Sequence, residues 1–430
     1  MKTFIKLLFL VACIGVITGC QKDEDFFTEE IPPELKGAKL KVYPSTDSDI
    51  LTKAQEDWDN INEALQNAGP GEIVQLAKGT FYLHKSIVRW DFNGTLKGSG
   101  MDETTIQTAP GMVFDRSDCP DLKWPPLHAG HSMLCFPHEA NTEERTVTVC
   151  NLNIVIDEPC DNYFRKQNKP KPEENNTLMA INVYYEDLNA IDGVLDLSLS
   201  QRIHLNVSFK NISIIGEIDD KYLLGGFSVR KGLCAFGAST GNYEAKNVRI
   251  KNAKWGIESD MFCGENSTVT VKNCVAENCL EAVYSFLVPN YTIMNNKFKD
   301  ITGAGLKLYT NNPVLNFTMP ENGASIIKNN VIIMDSPKDA IETGFMKNVQ
   351  AYNNTISGNC FSGIAVRFNG DNWSIKNNNL CNVVVFNPDG ATILLDNSTN
   401  CEVLNNANQV VGGTSVNNAS NLIGSGKDCH

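Results

Sequence analysis

The sequence predicts an all-β fold, a right-handed parallel β-helix (a solenoid), closed at its start by a short N-terminal capping helix. Three observations predict it: a recurring strand opened by Asn, one amphipathic helix ahead of several Gly-bounded short strands, and irregular insertions between repeats. In the repeat, Asn151, Asn211, Asn247, Asn273, Asn295, Asn329, Asn353, Asn377 and Asn405 each open a short strand. Successive gaps are 60, 36, 26, 22, 34, 24, 24 and 28 residues. A base period of 22 to 24 residues fits a coil of three short strands and three turns. Asn suits such a turn because it tolerates left-handed backbone geometry and can bond to the Asn one coil away. A leucine-rich repeat would need fixed Leu positions and helical stretches, and neither is present.

The elements follow in order. Residues 53–68 predict a helix, since Trp58, Ile61 and Leu65 fall three and four apart and Gly69-Pro70 stops it. Strands are expected at 73–76, 79–83, 94–98 and 104–107, separated by Gly and polar residues. A solenoid needs such a cap, because its first coil otherwise exposes an apolar end and an unpaired edge. Insertions near 115–144, 157–179 and 311–323 should wall one side of a single domain spanning 51–430.

About nine residues after each ladder Asn, a second strand begins, usually after Gly or Ala. Alternation sends its Ile, Val and Leu inward and its neighbours outward. One outward column then reads Asn182, Cys234, Glu258, Tyr284, Lys307, Glu342, Ala365. The other reads Tyr184, Phe236, Asp260, Phe286, Tyr309, Gly344, Arg367. Rings interleaved with charges on a rigid face suit a sugar polymer, so Tyr184, Phe236, Tyr284, Phe286, Tyr309 and Glu342 are expected to bind it. The same residues could instead serve cross-strand packing, with Lys307 and Glu342 as a surface ion pair. Glu258 and Asp260 are the first candidates for chemistry. Placed two apart on one strand, they should lie roughly 7 Å apart, near the separation an inverting glycosidase needs. The same pair could hold Ca²⁺, with Lys307 or Arg367 as base or charge clamp in a β-elimination. No metal or cofactor is demanded by the sequence. Asp187, Asp192 and Asp196 are further carboxylates without an assigned face.

The cap, the Gly-separated strands and the Asn repeat together resemble the pectin-lyase-like β-helices, among them pectate lyases and polygalacturonases. The resemblance spans roughly 53–425. It implies a polysaccharide lyase or glycoside hydrolase, against the alternative of a non-catalytic glycan- or protein-binding or structural surface module. It rests on scaffold features. The polygalacturonase series of Asn-x-Asp, Asp-Asp, Gly-His-Gly and Arg-x-Lys is absent, as is the pectate-lyase Trp-Ile-Asp-His segment.

Residues 1–19 read as a signal peptide: Lys2 and Lys6, then an apolar run from Leu7 to Ile17, too short for a membrane span. Ile17-Thr18-Gly19-Cys20 resembles the lipobox of bacterial lipoproteins, which implies lipidation at Cys20 and a tether to about residue 50. The stretch from Gln21 to Asp25 resembles signals that carry lipoproteins to the cell surface in gut-type Bacteroidota. The expected location is the outer membrane, on its cell-surface side, with the periplasmic face as the alternative. Removing Lys2 and Lys6 leaves 35 basic against 50 acidic residues and moves the net charge from -13 to -15. With no basic tract, nucleic acid is excluded as a partner. Cys119, His128, His131, Cys135 and His138 have spacings a zinc site could use, a Cys119–Cys135 disulfide and an ordinary loop being the other readings.

Overall fold

The computed structural model describes residues 39–115, 132–139, 144–160, 177–186, 204–222, 225–310 and 323–429. Cys20 with its flanking segments, Cys119, His128, His131, Asp187, Asp192 and Asp196 lie outside them, as does most of each predicted insertion.

Every pairing between strands of the ladder is parallel, and the strands stack into three files. One runs from Lys39–Val42 through Glu72–Leu76 and Gly94–Lys97 to Glu402–Leu404 and Leu422–Ile423. A second includes Gly79–Leu83, Thr104–Thr108, Val331–Asp335, Thr355–Cys360 and Asn379–Val385. The third, the file of the candidate site, holds Ser132–Glu139, Leu178–Glu186, Val229–Ser239 and the ends of Tyr243–Phe262 and Val275–Phe286. It continues through Leu306–Tyr309, Ile341–Gly344, Ile364–Arg367 and Ile393–Leu395. One continuous apolar core fills the interior. Each buried Val, Ile or Leu there contributes about 1.5–3 kcal/mol.

The capping helix spans Ile50–Asn67. Asp49 caps it by accepting from the Thr52 amide at 2.9 Å. Ile61 and Leu65 are buried, and Trp58 packs partly against the core while its Nε1 donates to the Ser86 carbonyl at 2.9 Å. Asp57, buried on the same side, accepts from the Ser45 and Tyr82 amides at 2.5 and 2.8 Å, tying the cap to the first coils.

All nine ladder Asn residues have positive φ, between 56° and 59° at Asn151, Asn295, Asn329, Asn353, Asn377 and Asn405, for example. In the first coils their side chains bond in series: Asn211 donates to Asn151, Asn247 to Asn211 and Asn273 to Asn247, at 3.0, 2.9 and 3.2 Å. Farther along, a second and wholly buried ladder stands one residue on, at Asn296, Asn330, Asn354, Asn378 and Asn406. There each Nδ2 donates to the next Oδ1 at 2.8–2.9 Å and to a backbone carbonyl at 2.9–3.1 Å, while the backbone amide donates to that same Oδ1. Each amide group inside the ladder is therefore satisfied on every side. In the earlier coils the equivalent position is Leu152, Ile212, Val248 or Cys274, so a polar spine replaces an apolar one partway along the solenoid.

Cysteine usage splits in two. Cys150, Cys234, Cys274, Cys279, Cys360 and Cys401 are buried thiols in or beside strands. Burial pushes Cys274, Cys279 and Cys360 up to about 12, which keeps them inert. Cys381 and Cys429 form a disulfide between positions 48 residues apart.

Candidate functional site

The two outward columns pair in the expected register, from Asn182–Cys234–Glu258 through Tyr284–Lys307–Glu342 to Ala365, and from Tyr184–Phe236–Asp260 to Gly344–Arg367. A third outward column lies beside them: Lys231, Trp255, Glu281. Simple alternation would send Lys231 inward with Leu233. The chain turns a corner at Gly232, where a Cβ would meet the core Ile250 side chain at 2.9 Å. Positions 232 and 233 both face the core, and Lys231 is left on the outer side.

That corner brings together three ionisable side chains. Lys231 Nζ pairs with Glu258 Oε1, and the two are 3% and 4% exposed. Asp260, two residues along the same strand and also buried, accepts at its Oδ1 from the Phe286 amide at 2.8 Å. Burial, and then the neighbouring Glu258 charge, push Asp260 well above the ordinary carboxylate range, which favours its protonated form. Glu258 and Asp260 both lie in the outward columns, as expected, with Lys231 set against Glu258.

Next along the face, Glu281 accepts from Trp255 Nε1 at 2.9 Å and forms an ion pair with Lys307 Nζ at 3.7 Å. Burial raises its pKa. Lys307 also lies 5.5 Å from the centre of the Tyr284 ring. The Lys307–Glu342 pair expected from sequence does not form; Glu342 instead accepts from the Tyr309 hydroxyl. Arg367 is held between Asp339 and Asp396, at 2.8 and 3.0 Å, and Ser362 donates to Asp339 at 2.6 Å. These contacts raise the Arg367 pKa against its burial. Neither Lys307 nor Arg367 is placed as a base, since each is a cation committed to carboxylates.

The aromatic rings divide the same way. Tyr184 is 4% exposed and packs with Cys135, Val88 and Phe236, so the start of the predicted strip is interior, not a stacking surface. From Tyr284 on, the rings form a file. Phe286 lies 4.6 Å from Tyr284 and stacks on Tyr309 at 4.8 Å, with planes 3° apart. Two rings unforeseen from the sequence extend it: Phe368, 6.3 Å from Tyr309, and Phe345, stacked on Phe368 at 5.5 Å. Both sit at positive φ, 59° at Phe345 and 55° at Phe368. For bulky residues this costs about 1–3 kcal/mol each. Gly344 makes room for them. A Cβ there would lie 2.4 Å from the Tyr309 ring and 3.2 Å from that of Phe368.

Among the described residues no His, Cys, Asp and Glu group is arranged to hold a metal ion. His138 is buried, and desolvation followed by the Arg145 charge lowers its pKa to about 3, so it stays neutral. Cys119, needed for both the zinc and the disulfide reading, lies outside the described residues.

Residues 206–380 match the family model described as a right-handed beta helix region, and the fold is a right-handed parallel β-helix with one N-terminal helical element. No curated protein sequence matches the chain. Among solved structures, the A-module of a mannuronan C-5 epimerase from Azotobacter vinelandii aligns over 87% of each chain, at 14% identity and a TM-score of 0.45. The surface protein and adhesin PfbA of Streptococcus pneumoniae aligns over 90% of this chain and 99% of its own, at 13% identity and a TM-score of 0.46. DFA-IIIase from Arthrobacter chlorophenolicus aligns over 86% and 94%, at 15% identity and a TM-score of 0.40. One such scaffold hosts unrelated activities, so function has to be argued from the residues of the face.

Proposed function

We propose that the chain is an exported protein, lipid-anchored through Cys20, that binds a polysaccharide along the aromatic file and cleaves it beside Glu258 and Asp260. One observation carries the cleavage reading: two carboxyls, Glu258 and Asp260, are buried two residues apart on one strand of the face, with the buried Lys231 ammonium paired to Glu258. Burying three ionisable groups costs stability that apolar residues would not cost. Perturbed carboxyls of this kind concentrate where proton transfer is needed. Asp260 is then the proton donor to the leaving glycosidic oxygen, and Glu258 the acceptor from water or from the sugar ring.

The test is depolymerisation by the purified chain of pectic, algal, host and bacterial polysaccharides, following chain length and unsaturated ends together. Unsaturated ends identify a lyase, and shortened saturated products a hydrolase. Asp260→Asn should lower the rate by about 100-fold or more. In the unaltered chain the rate should fall as pH rises through the raised pKa of Asp260, because the donor loses its proton. Equal rates for Asp260→Asn would sink the assignment.

A second reading is favoured by the near-complete burial and internal pairing of Glu258: a surface module that binds glycan without cleaving it. Retention of a polymer with no new ends in any reaction would decide for it. Export is supported by the basic and apolar N-terminus ahead of Cys20 and by the Cys381–Cys429 disulfide, a bond suited to an oxidising compartment. Protease added to intact cells would degrade the chain if it is displayed outside, and spare it if it faces the periplasm.

A further inference from the structure

Tyr309, Phe345 and Phe368 form a step at the far end of the file from Asp260, and its construction sets it apart from core packing. Phe368 is 47% exposed, yet its backbone is held in a conformation that bulky side chains avoid. Phe345 repeats that conformation one coil earlier and stacks beneath it. Gly344 leaves the gap over which the Tyr309 and Phe368 rings approach. A ring that is strained and exposed gains little from folding, so its orientation is explained by what it presents.

The surroundings of the step have a definite charge. Arg367 is the cation beside it, and its guanidinium is bonded to both Asp339 and Asp396. Glu342 is the third carboxylate, bound to the Tyr309 hydroxyl. Three carboxyl groups thus meet one guanidinium, and even with buried Asp339 protonated the rim carries no positive charge. A uronate or sulfate placed on these rings would meet Glu342 and Asp396, while Arg367 is already bonded to two carboxyls and Lys307, in register with Glu342, is paired with Glu281. A neutral pyranose would stack its C–H face on the rings and donate its hydroxyls to those carboxylates. An amine-bearing sugar would be attracted as well, both to the carboxylates and to the ring faces.

We propose that this step is a subsite for a sugar ring carrying no carboxylate or sulfate, and that it turns anionic units away from this end of the groove. The assignment rests on the reading of the face as a glycan groove, and it names the substrate class that groove takes.

Titration calorimetry of the purified chain with three probes tests it: cello-oligosaccharides, chitosan oligomers and oligogalacturonates of equal length. The first two should bind, and the oligogalacturonates should bind at least about tenfold more weakly, or ~1.4 kcal/mol. Phe368→Asn keeps a residue that tolerates the backbone geometry and removes the ring. It should weaken cello-oligosaccharide binding about tenfold while leaving the thermal midpoint unchanged or higher. Oligogalacturonate binding as tight as the neutral probe would overturn the proposal. So would unchanged affinity in Phe368→Asn, or no binding of any probe. Cleavage of an acidic polymer that depends on Asp260 but not on Phe368 would keep the cleavage reading and remove this subsite. Neutral binding that depends on Phe368, with no cleavage of any polymer, would do the reverse.

Discussion

Replacing Lys231 by Met should destabilise the chain by about 3–5 kcal/mol, the range for removing one partner of a buried ion pair. The ammonium is almost fully buried against Glu258, and Asp260 is buried two residues along the same strand. Without it, one negative charge remains in the interior with only Asp260 beside it. The loss should also depend on pH. The folded-state pKa of Asp260 is raised, so the native chain binds more protons than the unfolded chain, and stability falls as pH rises. That fall begins near the usual aspartate value of 3.8 and continues to the raised value. In Lys231→Met the fall should be steeper, since the ammonium that offsets the Glu258 and Asp260 charges is gone. Urea denaturation in weakly acidic and weakly alkaline buffer measures both slopes. A loss below ~1 kcal/mol, within the range of a surface pair, would show that the three groups are not coupled.

Asn354→Leu should cost about as much, at least ~3 kcal/mol, although it puts an apolar residue into an apolar core. The substitution leaves the Asn330 amide and Nδ2 without their acceptor and removes the donor to the Ile327 carbonyl. Each buried group left unsatisfied costs roughly 1–3 kcal/mol. Asn329→Gly, one residue before a neighbouring rung, is the control. It keeps the left-handed turn and loses one exposed bond to Asn295, so it should cost about 1 kcal/mol or less. Thermal or urea denaturation of the two variants separates the ladders, and equal losses would mean that the inner ladder has no special weight.

The contrast between the ladders shows what could be read from the sequence. The turn Asn residues were legible because one residue type answers one backbone demand at a steady period. The inner ladder stayed hidden because it begins only at Asn296, directly after a turn Asn, and so reads as part of the same pair. The register of the site face was legible from Ile, Val and Leu alternation after Gly or Ala. Lys231 was not, because the corner at Gly232 breaks that alternation one residue before the strand. A Gly or Ala opening each strand was the available signal: the residue before a corner belongs to the outer side. Phe345 and Phe368 escaped because they follow their strands, where alternation has ended.

The Cys381–Cys429 bond has a consequence for how such a rod comes apart. Asn379, Ala407 and Lys427 bridge one another in successive layers, so Cys429 stands two layers beyond the strand that carries Cys381. In a stack where each layer touches only its neighbours, damage travels inward from an end, one layer at a time. The described residues begin under a helix and finish under this covalent clasp, so neither end peels readily. Loss of structure would then have to begin inside the stack, where each layer is held on both faces.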